Sequence, residues 1–400
     1  MAGMACAAAP ERARLDRFLD RFVGAGSLAE AVAVFSDALD RHALRIAETQ
    51  ARTEAIFRSR TPDRPFVQYT PTDLDTALDV GLPAWAATDR HRLLATQLSG
   101  IIANLELLPE SDYLPTLSPG YGTSDLIPRM LGAEVEVVDG CVLPRSYLLS
   151  DLARDLPVLG MPDPATAEPC RNLLETCRFL VEATRGCVPL AYPQMQGPTT
   201  NAVRLMDQEE YLVACLTEPD RIRSLSEHLT RIIIAITKSL WYAVGDQALT
   251  RPRQRGAQPE WVCGLMVDDY LSVLSPRTYL EVVGSSWDLM ARELGPIFLH
   301  TCGPTLQWGE LLAQLPGLAG LETSFVRGFS KTTDDLSTQK AALGGRAVLQ
   351  SFVLPDGSTV HDEANLTACW LKSISNGGGF MLHAAGSVET GRRLLRNLLS

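Results

Sequence analysis

Two hydrophobic rhythms divide the chain. Between residues 12 and 60 the apolar positions recur every three or four residues: Leu15, Phe18, Leu19 and Phe22, then Leu28, Val32, Val34, Phe35 and Leu39. That spacing predicts helices, interrupted at Gly24-Ala-Gly26 and restarted at Ser27, whose Glu30 partner completes a capping signal. From Arg64 onward, short apolar runs near residues 66, 116, 188, 262, 297, 319, 347 and 380 alternate with stretches of helical periodicity. Helices are predicted around 71–108, 170–185 and 207–244, from Ser275-Pro276, from 363, and over 388–399. Ala133 to Val138 adds a strand or hairpin arm. Short buried strands separated by helices imply a parallel sheet covered on both faces. Eight such units predict an α/β fold, a single (β/α)8 TIM barrel over residues 61–400, preceded by a helical extension over 1–60.

In such a barrel the chemistry sits at the C-terminal ends of the strands. Those ends carry Tyr69, Asp125, Gln194 and Gln196, Asp268 and Asp269, His300 and Cys302, Glu322, Gln350 and His383. The sharpest pair is in Pro296-Ile-Phe-Leu-His300-Thr-Cys302-Gly-Pro304. Residues i and i+2 of an extended chain face the same side, so His300 and Cys302 are able to meet one point. Imidazole and thiolate are ligands that zinc prefers. Asp268 and Asp269 are expected to bind substrate cations or to orient a ligand histidine. Tyr69, Tyr192, Gln194, Gln196 and Gln350 are expected to line the pocket. His42 and His228 read as surface side chains.

Composition narrows the partners. A net charge of −11 argues against nucleic acid and anionic lipid, and no apolar run is long enough to span a bilayer. The first residues lack a basic segment and read as a frayed terminus rather than a secretion signal. Nine cysteines, an odd number without a CxxC pair, fit buried thiols in a reducing cytoplasm.

Several stretches together resemble the uroporphyrinogen decarboxylase superfamily over most of residues 60–400. They are Arg64-Pro-Phe-Val, Thr123-Ser-Asp125 with Leu131-Gly-Ala-Glu-Val135, and Pro189-Leu-Ala-Tyr-Pro-Gln-Met-Gln-Gly-Pro198. Asp268-Asp-Tyr-Leu-Ser-Val-Leu-Ser-Pro-Arg-Thr-Tyr279 and Gly377-Gly-Gly-Phe380 complete the set. Its decarboxylases grip a polycarboxylate with arginines after the first strand. Here that place reads Gln68-Tyr-Thr-Pro-Thr-Asp-Leu-Asp75, which has none. The resemblance is closer to the zinc-dependent methyltransferase branch, whose His-x-Cys-Gly is matched by His300-Thr-Cys302-Gly303. The branch's second cysteine is replaced by Ala384-Ala-Gly386-Ser387, which makes His383 the nearest substitute ligand, with Glu322 and Asp269 as further candidates for the metal; a His2Cys site with an open fourth position suits catalysis. The resemblance implies a cytoplasmic methyltransferase moving methyl groups between a corrinoid or small methylated donor and a thiol. With no corrinoid motif of its own, the chain would take methylcobalamin, or a corrinoid protein as partner, from outside. The alternative is a metal-independent decarboxylase or lyase acting on a small carboxylic acid through Asp125 or the Asp268/Asp269 pair. The extension is expected either to pair two copies in a homodimer or to cover the barrel's N-terminal end.

Overall fold

The computed structural model describes residues 9–73, 83–120, 125–138, 141–193, 195–245, 249–250, 259, 261–301, 312, 315–324, 333–353 and 378–399. Eleven strands are named in order along these residues. β1 (Val67–Pro71) is followed by an antiparallel hairpin of β2 (Val135–Val138) and β3 (Cys141–Pro144), then by β4 (Leu190–Ala191), β5 (Met195–Gln196) and β6 (Leu249–Thr250). The remainder are β7 (Cys263–Val267), β8 (Ile297–Thr301), β9 (Leu318–Ser324), β10 (Val348–Val353) and β11 (Phe380–Gly386). Parallel pairing runs β1-β11-β10-β9-β8-β7-β5.

Residues 111–117 close the ring between β1 and β4. Asp112 N–H donates to the Val67 carbonyl (2.8 Å) and Tyr69 N–H to Ser111 Oγ (2.8 Å) on one side. On the other side Leu117 N–H donates to the Pro189 carbonyl (2.9 Å) and Ala191 N–H to the Leu117 carbonyl (2.6 Å). The architecture is an α/β (β/α)8 barrel, and all eight predicted strand positions fall in its wall. Within the predicted stretch Ala133 to Val138, β2 (Val135–Val138) forms one arm of the hairpin outside it. Among the described residues no helix is long and apolar enough to cross a membrane.

Strand alternation sorts the apolar side chains into two cores. Val67, Tyr69, Leu299, Leu321, Leu349 and Leu382 face the surrounding helices, whereas Phe66, Val267, Phe298, Val348 and Met381 meet inside the barrel. Gly320 faces this inner cluster, where a Cβ would come within 2.1 Å of the Phe298 ring. Only a residue without a side chain leaves room for that ring.

The N-terminal helices are Ala9–Val23, Leu28–Asp40 and Ala43–Phe57. Ser27 Oγ accepts from Glu30 N–H (3.3 Å) while Glu30 Oε2 accepts from Gly26 N–H (2.8 Å), so the predicted restart is capped in both directions. The third helix turns Ile46, Ile56 and Phe57 onto the inner apolar cluster and forms the barrel's floor. Arg52 on this helix pairs with Asp112, which Arg64 also grips at 2.8 Å, and reaches Asp63 at 2.8 Å. His42 departs from expectation: its Nε2 lies 3.3 Å from the buried Glu106, which also accepts from Arg14 at 2.7 Å.

Candidate functional site

The inner apolar cluster gives way, one step further along the strands, to a row of polar side chains. On β8, Phe298 faces inward, so the next inward position is His300. Register places Glu322 of β9 beside His300 and Gln350 of β10 beside Glu322. His300 Nδ1 lies 2.7 Å from Glu322 Oε1, and Gln350 Nε2 donates to Glu322 Oε2 at 2.6 Å. All three side chains are 2% exposed or less. With Nδ1 engaged, the other ring nitrogen, Nε2, is turned toward Asp269 Oδ1, 3.9 Å away and too far for a hydrogen bond. Asp269 is itself half-exposed.

His383 of β11 also faces inward, with Nε2 3.0 Å from Thr70 Oγ1 of β1. Gln68, which alternates with Phe66 and Thr70, shares that face and lies beside His383 in register. Gln196 of β5 is in register with the inward Val267, which in turn is beside His300. Inner-wall positions therefore bring together His300, Glu322, Gln350, His383, Gln196 and, unanticipated from the sequence, Gln68 and Thr70. The signal for the last two was their i, i+2 spacing from Phe66, which becomes readable only once the strand's phase is known.

Other expected site residues stand elsewhere. Tyr69 points out of the barrel: its hydroxyl donates to the Ser387 carbonyl (3.0 Å), and its ring lies where a Cβ on Gly391 would reach it at 2.6 Å. Tyr192 is likewise turned into the helix layer, its hydroxyl hydrogen-bonded to Thr237 on the helix Pro219–Val244. In both cases the neighbouring residue, not the tyrosine, occupies the inward phase.

Asp268 alternates outward from Val267 and is fully buried. Its carboxylate accepts from Thr199 Oγ1 (2.5 Å), Thr200 N–H (3.1 Å), Thr200 Oγ1 (3.3 Å) and Tyr279 O–H (2.8 Å). It lies so close to Gly197 that a Cβ there would stand 2.6 Å from its carboxylate. Burial, opposed by these donors, pushes its carboxyl up to about 6. The group clamps the start of the helix Pro198–Leu205 and the strand that precedes it, a structural placement rather than one facing the lumen. Asp125 is buried before the helix Leu126–Met130, with Arg129 3.6 Å from its carboxylate. Gln194 and Cys302 lie outside the described residues. Among the described residues, no three His, Cys, Asp or Glu side chains are grouped so as to hold a metal.

Comparison with known proteins follows the same lines. The sequence matches no curated protein. A methyltransferase from Methanosarcina mazei superposes with a TM-score of 0.62 at 18% identity, over 88% of this chain and 99% of that one, a likeness of fold. Bee venom hyaluronidase in complex with a hyaluronic acid tetramer superposes at a TM-score of only 0.30 and 11% identity, over 84% and 96% of the two chains, too remote to bear on the site. The family model for uroporphyrinogen decarboxylase (URO-D) matches residues 124–351, from Ser124 before Asp125 to Ser351 beside Gln350. That span is more than half of the protein and holds five of the eight barrel strands in order; the chain belongs to the uroporphyrinogen decarboxylase (URO-D) family.

Proposed function

We propose that this protein is a zinc-dependent methyltransferase, moving a methyl group between a corrinoid or small methylated donor and a thiol or similar acceptor. The supporting observation is the Gln350–Glu322–His300 chain of hydrogen bonds at the C-terminal ends of three adjacent strands, in a sequence that places Cys302 two residues past the imidazole. The donor set suits zinc. A carboxylate on Nδ1 fixes the ring's tautomer and leaves Nε2 as a ligand, the way zinc-bound histidines are commonly oriented. His300 and Cys302 would hold the metal. At 2.7 Å from Nδ1, Glu322 is a hydrogen-bond partner of the ring, and we assign it to orienting His300 rather than to the metal.

When bound, zinc supplies a positive charge that keeps a substrate thiol deprotonated at neutral pH, ready to attack a methyl group. The chain's own residues do the rest. Gln350 holds Glu322 by one oxygen so that the other faces His300. We assign Asp269 Oδ1, 3.9 Å from Nε2, to accept the proton that the thiol gives up. His383, three strands along the wall and tied to Thr70, lines the substrate space. The phenylalanine, valine and methionine floor beneath keeps bulk water from that side. The corrinoid, free or carried by a partner protein, would come from outside the chain. The lyase alternative has less to work with, because Asp268 is engaged by four donors on the outer side of the wall.

The deciding measurement is the zinc content of wild type and Cys302→Ala, purified side by side, with methyl transfer from methylcobalamin to a thiol assayed on both. Zinc in the wild type that is lost with activity in the variant supports the reading. Metal-free wild type, or full activity in Cys302→Ala, would sink it.

A further inference from the structure

Asp268 stands directly before the short 3-10 turn Asp269–Ser272, where an aspartate ordinarily caps the turn with its own side chain. It makes no such bond. Its carboxylate is turned away toward the helix layer, and the donor at the start of the turn is taken by another element: Asp269 N–H donates to Thr200 Oγ1 at 3.1 Å. Thr200 lies in the first turn of the helix Pro198–Leu205, and the direction of its bonds follows from their chemistry. A hydroxyl that accepts from an N–H has its own hydrogen to give, and Asp268 Oδ1 stands 3.3 Å away to receive it. The same oxygen takes Thr199 Oγ1 and Thr200 N–H, while Oδ2 takes the Tyr279 hydroxyl, which accepts in turn from Trp287 Nε1 at 2.9 Å. Asp268, Thr199, Tyr279 and Trp287 are fully buried, and Thr200 is 5% exposed. Hydrogen bonds in so dry a setting hold their geometry firmly. The main chain of Asp268 adds a second tie, its N–H donating to the His300 carbonyl at 3.0 Å. One residue thus joins the strand that bears the imidazole to the turn whose Asp269 Oδ1 stands 3.9 Å from that ring.

We propose that Asp268 and Thr200 are positioning residues for Asp269: the carboxylate orients the Thr200 hydroxyl, the hydroxyl holds the Asp269 amide, and Asp269 Oδ1 is thereby kept at its distance from His300 Nε2. Both act through Asp269 and hold no place among the reacting groups. Only a carboxylate accepts from donors on both of its sides at once, which is why an aspartate stands where a cap would do for the turn alone. The proposal deepens the methyltransferase reading, on which it rests only for the proton that Asp269 is assigned to accept; the placement of Asp269 stands without it.

Crystal structures of the full-length protein and its variants read the placement without any reaction. Thr200→Val keeps the shape and removes the hydroxyl; it is expected to lengthen the 3.9 Å separation by about 1 Å or more, whereas Thr200→Ser keeps it. Thr200→Ala is read in the same way should valine beside the carboxylate prevent folding. Tyr279→Phe takes the donor from Oδ2 and leaves those on Oδ1, so it is expected to melt lower yet keep the separation. A separation unchanged without the Thr200 hydroxyl, or changed equally in Tyr279→Phe, overturns the proposal. Turnover supplies a second readout, methyl transfer from methylcobalamin to a thiol by the zinc-supplied protein. Thr200→Val is expected to lower kcat about tenfold with little change in KM, and Thr200→Ser to restore it. Combined with Asp269→Asn, Thr200→Val should add no further loss, since it acts through the group already removed. Losses that multiply in the double variant would make Thr200 an ordinary packing residue and overturn the proposal. A wild type that transfers no methyl group sinks the methyltransferase reading alone, and the separation still decides this one.

Discussion

Glu322 serves two neighbours at once, accepting from Gln350 with one oxygen and meeting His300 Nδ1 with the other. Replacing it by glutamine keeps the shape but removes the charge that, in the proposed zinc site, would make Nε2 a good ligand. Glu322→Gln is expected to fold normally and to bind zinc about 10- to 100-fold more weakly, read by competition with a chromophoric chelator. Unchanged affinity would mean that the ring is oriented by something else. A second residue, Gly320, fixes the height of this row, since its missing side chain is where the Phe298 ring lies. Gly320→Ala should cost about 1–3 kcal/mol or more in a urea titration, the ordinary range for a filled core made to take an extra carbon. His300 and Glu322 were legible from the sequence because each ends a short apolar run. Tyr69 and Tyr192 were misplaced for an equally physical reason. The end of a strand is visible in a sequence, but its phase, which decides lumen or helix layer, depends on tertiary contacts such as those of Tyr69 with Gly391.

At the scale of elements, the strands were the most readable part, since parallel strands covered on both faces must be apolar throughout. Residues 111–117 add to the apolar position near 116 something the pattern does not show: Asp112 and Ser111 close the barrel through side-chain as well as backbone bonds. The helix Glu168–Thr184 bears a different consequence. It buries Cys170 and Cys177, and burial pushes both thiols up from 9.0 to about 12. The native helix keeps protons that the unfolded chain releases. Stability is therefore full below about pH 9 and falls as pH climbs toward 12. Cys177→Ala should make that fall shallower between pH 8 and pH 10, measured by urea unfolding at about those two values. A slope identical to wild type would show that the thiol ionises as easily inside as out.

For the molecule as a whole, the N-terminal helices and the barrel share one buried charge cluster. Arg52 is nearly enclosed between Asp63 and Asp112, and Asp112 also anchors β1 through Val67 N–H at 2.8 Å. Arg52→Ala removes one of the two ion-pair partners that Asp112 has among the described residues and should destabilise the protein by about 3–5 kcal/mol. Asp63→Asn touches the exposed arm of the same cluster and should cost less than about 1 kcal/mol. Equal effects of the two would place the cluster's weight at the surface rather than at the junction. The sequence allowed the extension either to pair chains or to cover the barrel, and the inward side of Ile46, Ile56 and Phe57 became visible only when the floor they complete was in place.

That floor sets a depth. Phe57 packs against Phe298 at a tilt of 45° with ring centres 6.0 Å apart, and Phe298 stands two residues below His300 on the same strand face, a step of roughly 7 Å. The layer on which the imidazole stands is thus propped from beneath by a segment near the other end of the chain. Trimming Phe57 would take that prop away and let the Phe298 ring settle lower, carrying the layer under the polar row with it. A segment remote in sequence from the polar row can in this way set its level without reaching any of its side chains.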